Sequence, residues 1–160
     1  MRPLAATLAA LALVAGPALA APKPDPANAE VLAVVDRFFA GLKAGDWTSV
    51  EGLLIPEGTI NVQRTLPDGG NHHRVLTFRA WLDSLAGKPG FEEQYWSPTV
   101  LRRGPIAVVW APYEVHTPQD RHCGIDSFDL VQKDGTWKIA NLMWTSEPDA
   151  CEALGWKPKG

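Results

Sequence analysis

Apolar and polar residues alternate most clearly in the last third of the chain. Residues 103–146 read RGPIAVVWAPYEVHTPQDRHCGIDSFDLVQKDGTWKIANLMWTS. Two turn signals, Thr117-Pro118-Gln119-Asp120 and Asp134-Gly135, divide this stretch into three runs rich in Val, Ile, Trp, Tyr and Phe. The pattern predicts a three-strand antiparallel meander. Period two assigns faces to each strand. Val109, Ala111, Tyr113 and Val115 share one face of the first strand, with Trp110, Pro112, Glu114 and His116 opposite. Asp126, Phe128 and Leu130 share a face of the second. Strict alternation in the third puts Ile139, Asn141 and Met143 on one side and Lys138, Ala140, Leu142 and Trp144 on the other.

Upstream, the period changes to helical. Asp25 is placed to cap a helix with Pro26 at its first position. Leu32, Val35, Phe39 and Leu42 then recur at helical spacing, flanked by Val31, Val34 and Phe38, which predicts a wide buried stripe. Gly45 ends this helix. Asp46 caps a shorter one carrying Trp47, Val50 and Leu54, and Pro56 and Gly58 stop it. Thr59 to Arg64 alternates and predicts a strand. Pro67-Asp68-Gly69-Gly70 is a turn, and Asn71 to Leu76 is a polar return strand. Thr77 caps a third helix with Phe78, Trp81, Leu82 and Leu85 inward. Phe91 to Arg103 reads as one long strand, bent or bulged at Pro98. The order predicts an α+β domain with helices on one face of a curved, mainly antiparallel sheet.

The N-terminus has a different character. Arg2, the Ala/Leu run from Leu4 to Val14, the Gly16-Pro17 break and Ala18-Leu19-Ala20 form a secretory signal peptide over 1–20. The apolar run is too short to span a bilayer; an uncleaved anchor is the alternative. Residues 21–27 (APKPDPA) read as a flexible, Pro-rich leader, and residues 28–160 as one domain with a C-terminal tail. Export makes the protein periplasmic or secreted, with no membrane attachment after cleavage. The net charge is −3, and no Lys/Arg cluster appears, which gives nucleic acid no footing. The two cysteines, Cys123 and Cys151, are expected to form a disulfide in an oxidising compartment; two free thiols are the alternative. The four histidines have no metal-ligand spacing, and no phosphate loop or nucleophile motif is present, so no metal and no cofactor are expected.

Several motifs resemble a known superfamily. Phe38-Phe39-Ala40-Gly41-Leu42-Lys43-Ala44-Gly45-Asp46 resembles the first-helix signature of nuclear transport factor 2-like proteins. Gly124-Ile125-Asp126-Ser127-Phe128 with Asp134-Gly135-Thr136-Trp137-Lys138-Ile139 is similar to their last two strands. Trp96-x-Pro98, Trp110-Ala111-Pro112-Tyr113-Glu114 and His122-Cys123-Gly124-x-Asp126-x-Phe128 resemble an exported bacterial branch labelled lumazine-binding. The resemblance implies a cone-shaped barrel: a strongly curved sheet, three helices on its concave side, an apolar cavity between them, and dimerisation through the sheet. One fold hosts many activities, so function has to be argued from the site.

On that fold, Phe38, Val62, Trp81, Val109, Tyr113, Asp126, Phe128 and Asn141 are expected to line the cavity. Asp126 stands out as an acid on an apolar wall, where burial would raise its pKa. It could act as neutral donor or as base, or be a structural group paired with a nearby hydroxyl. Tyr113 is a second candidate, or simply a core ring with a satisfied hydroxyl. His73 is a third; adjacent strand residues face opposite ways, so at most one of His72 and His73 can enter a cavity, and both could lie on a solvated hairpin. Ketosteroid isomerase, a member of the superfamily, needs a Tyr on the first helix, an Asp on the first strand and an Asp on the penultimate strand. Here those positions hold Phe38, Val62 and Asp126, so its base is missing.

The expected function is therefore binding of a small apolar or aromatic molecule without catalysis. The alternatives are a cofactor-independent isomerase, dehydratase or cyclase acting through Asp126, and a dimeric structural or interaction module. Trp110 and Trp144 on the outer sheet face would be covered by the C-terminal tail or by a second subunit, and a homodimer through that face is expected.

Overall fold

The computed structural model describes residues 26–117 and 120–157. The signal peptide expected over 1–20, nearly all of the leader expected over 21–27, and Pro118-Gln119 of the predicted turn lie outside the described residues. Three helices precede or interrupt the strands: α1 (Pro26–Ala44), α2 (Trp47–Glu51) and α3 (Phe78–Leu85). The strands are β1 (Thr59–Thr65), β2 (Asn71–Thr77), β3 (Glu92–Tyr95), β4 (Thr99–Arg103), β5 (Ile106–His116), β6 (Arg121–Lys133) and β7 (Thr136–Ser146). Among the described residues, no helix is long and apolar enough to cross a membrane.

Local sequence sets the helix ends. Gly45 adopts φ +65°, which glycine takes without steric cost. This lets the Asp46 N–H reach back to the Gly41 carbonyl (3.0 Å) and close α1. Asp46 then turns its carboxylate to the Ser49 N–H (3.0 Å) and opens α2. Thr77 caps α3 in the same way through Ala80 N–H (3.1 Å).

The strands form one sheet in the order β2-β1-β7-β6-β5-β3, with β4 also on β5. The pairings are antiparallel except β1–β7, which is parallel. The sheet curves but does not close, so the cone is open at one side. The single long strand expected over Phe91–Arg103 is two strands. β3 pairs with residues 113–116 of β5 and β4 with residues 106–110. Pro98 cannot donate to a ladder, and Ser97 turns into the left-handed region (φ +46°) between them.

The core lies between the sheet and α1 and α3. Val31, Val34, Val35, Phe38, Phe39 and Leu42 of α1 are buried, together with Phe78, Trp81 and Leu82 of α3. Phe38 is the hub: its ring stacks on Trp81 (5.9 Å) and meets Phe39 and Phe128 edge-on (5.8 and 5.6 Å).

β7 departs from strict alternation. Leu130 pairs with Ile139, but Asp129 pairs with Asn141, so Ala140 is an extra residue on β7. Beyond that bulge the faces exchange. Trp137 and Ile139 are buried before it, and Leu142 and Ser146 after it.

The C-terminal tail folds back over one end of the outer face. Cys123 and Cys151 form a disulfide, Cα to Cα 5.0 Å. Trp96 Nε1 donates to the Leu154 carbonyl (2.9 Å) and Trp156 Nε1 to Glu114 (2.6 Å). Glu114 also accepts from Arg121 Nε and Gln94 Nε2, both at 2.7 Å. Burial alone would raise this carboxyl, but those three hydrogen bonds outweigh it and hold it below its usual range.

Candidate functional site

A cavity of about 410 Å³ opens between the concave side of the sheet and the helices. Phe38 and Leu42 of α1, Trp81 of α3 and Phe91 form its apolar roof. Val62 of β1, Leu76 of β2 and Leu142 and Trp144 of β7 form one wall. Tyr113, Val115, His122 and Asp126 of β5 and β6 form the other, with Glu93 of β3 beside them. Arg64, His72, Arg74 and Thr117 complete the lining.

Two carboxyls give the cavity its chemistry. Asp126 is only 2 % exposed. It faces inward because Gly124, Asp126 and Phe128 alternate along the concave side of β6. Glu93 lies within hydrogen-bonding reach of it. Two carboxylates cannot donate to each other, and with both ionised Asp126 Oδ2 is left without a donor. A proton held between the two acids supplies one. Burial, then the like charge of Glu93 and the hydrogen bond with it, hold Asp126 well above its usual range. Burial likewise pushes Glu93 up to about 8, against the hydrogen bond with Asp126. The two titrate as a unit. At neutral pH such a pair keeps a proton, presenting both a donor and an acceptor to whatever occupies the cavity.

Tyr113 stands between them on β5, but its hydroxyl is already used. It donates to the Thr145 carbonyl (2.7 Å). Gly124, paired with Tyr113, makes this approach possible, since a Cβ there would lie 2.0 Å from the same carbonyl oxygen. Burial, then the charges of Asp126 and Glu93, raise the Tyr113 phenol far above its usual value, so it stays a neutral donor. His122 is buried, and its Nδ1 lies 3.0 Å from Asp120 Oδ2. Burial outweighs Asp120 and holds the imidazole below its usual pKa. No group of three or more His, Cys, Asp or Glu side chains among the described residues is arranged to hold a metal.

The expected cavity residues divide. Phe38, Val62, Trp81, Tyr113 and Asp126 line the space. Val109 and Phe128 do not: they are 0 % and 1 % exposed, sealed under α1, where Phe128 meets Phe38 and Phe39. Asn141 is on the opposite side of the sheet. It is exposed, and its Oδ1 accepts from Thr59 N–H and Thr59 Oγ1, both at 3.2 Å. The bulge at Ala140 reverses the face, so Trp144, expected outside, lines the cavity in its place. His73 also points away, toward Asn61 Oδ1 (3.3 Å), while His72 is the member of the pair that borders the cavity.

Sequence reasoning missed Glu93. The signal was present: Phe91, Glu93 and Tyr95 share a face at period two, so Glu93 is an acid among inward aromatics, as Asp126 is. Treating 91–103 as one bent strand obscured it.

The family model described as "Putative lumazine-binding" matches residues 26–145. The chain belongs to this family. The lumazine-binding description is a family name, and the cavity geometry is compatible with a small ligand. No curated protein matches the sequence. Solved structures show the fold. A nuclear transport factor 2-like protein from Cytophaga hutchinsonii superposes with a TM-score of 0.61 at 16% identity, covering 76% of this chain and 98% of that one. A protein with a cystatin-like fold from Nostoc punctiforme gives 0.60 at 11% identity, over 76% and 92%. A nuclear transport factor 2-like protein from Shewanella baltica gives 0.55 at 13% identity, over 77% and 95%. At these identities the likeness establishes the nuclear transport factor 2-like fold alone.

Proposed function

We propose that this protein is an exported small-molecule-binding domain. It holds a flat, largely apolar ligand between the Phe38–Trp81 roof and the sheet, with a polar atom of the ligand against Glu93 and Asp126. The observation that carries this reading is an apolar cavity with its own hydrogen-bonding acid pair. Such a site is concave, mostly apolar and furnished with few polar groups. The Cys123–Cys151 disulfide supports an oxidising compartment, in keeping with the signal peptide read from residues 1–20. The test is a melting assay on the purified protein against a panel of apolar and heteroaromatic molecules. At least one class should raise the melting temperature. No shift across the panel, and no molecule co-purifying with the protein, would sink the proposal.

Glu93 favours a second reading. A cofactor-independent enzyme needs an acid and a base within reach of one substrate, and the pair supplies both from two carboxyls of raised pKa. One carboxylate would take a proton from carbon while the protonated partner gave one back, as an isomerase, dehydratase or cyclase requires. Turnover of a bound molecule that Glu93→Gln abolishes while its binding persists would establish this reading; binding without turnover returns the protein to the first.

A further inference from the structure

The mouth of the cavity carries charge that the fold does not use. Arg64 and His72 lie opposite each other across the β1–β2 hairpin, and Arg74 lies opposite Val62. Alternation puts all three on the cavity side, and all three border the opening. Elsewhere arginines hold carboxylates: Arg79 pairs with Glu51 and Asp83, and Arg121 with Glu114. Arg64 and Arg74 have no ion pair or hydrogen bond among the described residues. Arg64 is nonetheless close enough to Tyr113 and His122 for its charge to act on both, as the smallest contribution beneath the dominant effect of burial.

The acids bordering the same space are Glu93 of β3 and Asp126 of β6, across the sheet from the β1–β2 hairpin. A shared proton leaves them at most one negative charge between them, against two guanidinium groups at the rim. The cavity is therefore two-ended: a proton-sharing pair inside, aromatic walls along its length, and unpaired guanidinium groups at the opening. Guanidinium groups recognise oxyanions through forked, charge-assisted hydrogen bonds.

We propose that the ligand is an organic anion. Its apolar ring body lies against Phe38 and Trp81, an uncharged polar atom meets Glu93 and Asp126, and its carboxylate or sulfonate is held at the mouth by Arg64 and Arg74. This rests on the binding reading above and adds the charge and orientation of what is bound.

The test uses two probes with the same rings, anilinonaphthalenesulfonate and its uncharged parent N-phenylnaphthylamine, titrated by fluorescence into the full mature chain. Wild type should bind the sulfonate about tenfold more tightly or better, the worth of one charge-assisted contact. Arg64→Gln with Arg74→Gln should erase that preference and leave the neutral probe's affinity unchanged; both positions are exposed, so folding is not at stake. Val62→Trp, which fills the cavity, should abolish binding of both probes. Equal affinities in wild type, or a preference that survives the double substitution, overturn the anion assignment and leave the binding reading standing. Sulfonate binding that survives Val62→Trp places the probe on the outer face and likewise overturns the assignment. If neither probe binds, the anion assignment falls, and the melting panel and co-purification decide the binding reading separately.

Discussion

Glu93 on β3 and Asp126 on β6 bring their carboxyls together across the intervening strand β5. In an unfolded chain both would ionise near the ordinary carboxylate range. In the folded protein burial holds both higher, Glu93 at about 8. The native state therefore binds more protons than the unfolded state between those limits. With the unfolded state binding fewer, stability must fall as pH rises through that window.

That sign gives a measurable slope. One retained proton is worth about 1.4 kcal/mol per pH unit at the steepest part. His122 works the other way, because its lowered pKa makes folding release a proton. Glu93→Gln with Asp126→Asn removes both carboxyls and keeps His122, so the difference between the two proteins isolates the pair. Urea unfolding from about pH 5 to about pH 8 should show wild type losing stability relative to the double variant by about 1 kcal/mol or more. Parallel profiles would mean that the pair retains no proton on folding.

Asn141 and Trp144 test the bulge on β7. Asn141→Ala removes two hydrogen bonds to Thr59 on the outer side and should cost about 1–2 kcal/mol of stability. Its effect on ligand affinity should be nil. Trp144→Ala opens the cavity wall and should weaken binding of any cavity ligand by tenfold or more, the usual scale for losing an aromatic contact. Paired denaturation and binding titrations separate the two. If Asn141→Ala weakened binding, the exchange of faces at Ala140 would be wrong.

The same residues show what sequence pattern can and cannot carry. Alternation assigned the inner faces of β5 and β6, because each runs regularly past its neighbour from Ile106 to His116 and from Arg121 to Asp129. It failed on β7, where one unpaired residue, Ala140, reverses every face that follows. Nothing in Ile139-Ala140-Asn141-Leu142 marks that residue, since the bulge is settled by pairing with β6 and β1. Capping was legible at Gly45, Asp46 and Thr77, where the signal is local. The separation of Val109 and Phe128 from the cavity was not, because it depends on where α1 rests on the sheet.

Cys123 and Cys151 close a loop with a sequence separation of 28. In the chain-entropy picture, removing the bond costs about 3–4 kcal/mol. The consequence should be local as well as global. The bond anchors the tail that places Leu154 on Trp96 and Trp156 on Glu114. Cys123→Ala with Cys151→Ala should lower the melting temperature and make the segment after Glu147 the first site of proteolysis. A tail that stays protected in the double variant would show that the Glu114 hydrogen bonds hold it alone.

The outer face makes the last prediction. Trp110 and Met143 are each 48 % exposed, and Ile106 and Leu101 more so. Trp110 and Ile106 lie on β5 and Leu101 on the adjacent β4, and Met143 of β7 faces the same way two strands from Trp110, with Ser127 of β6 between them. A solitary apolar side chain in water needs no explanation, but an apolar group spanning adjacent strands favours a covering partner. We expect a second copy of the chain to be that partner, with the two sheets meeting back to back as in an isologous dimer. Sedimentation should then give a dimer for wild type and a monomer for Trp110→Arg, with the melt of the variant lower and independent of protein concentration. Because Trp110 points away from the cavity, cavity binding should survive that substitution. A monomeric wild type at tens of micromolar would rule the dimer out.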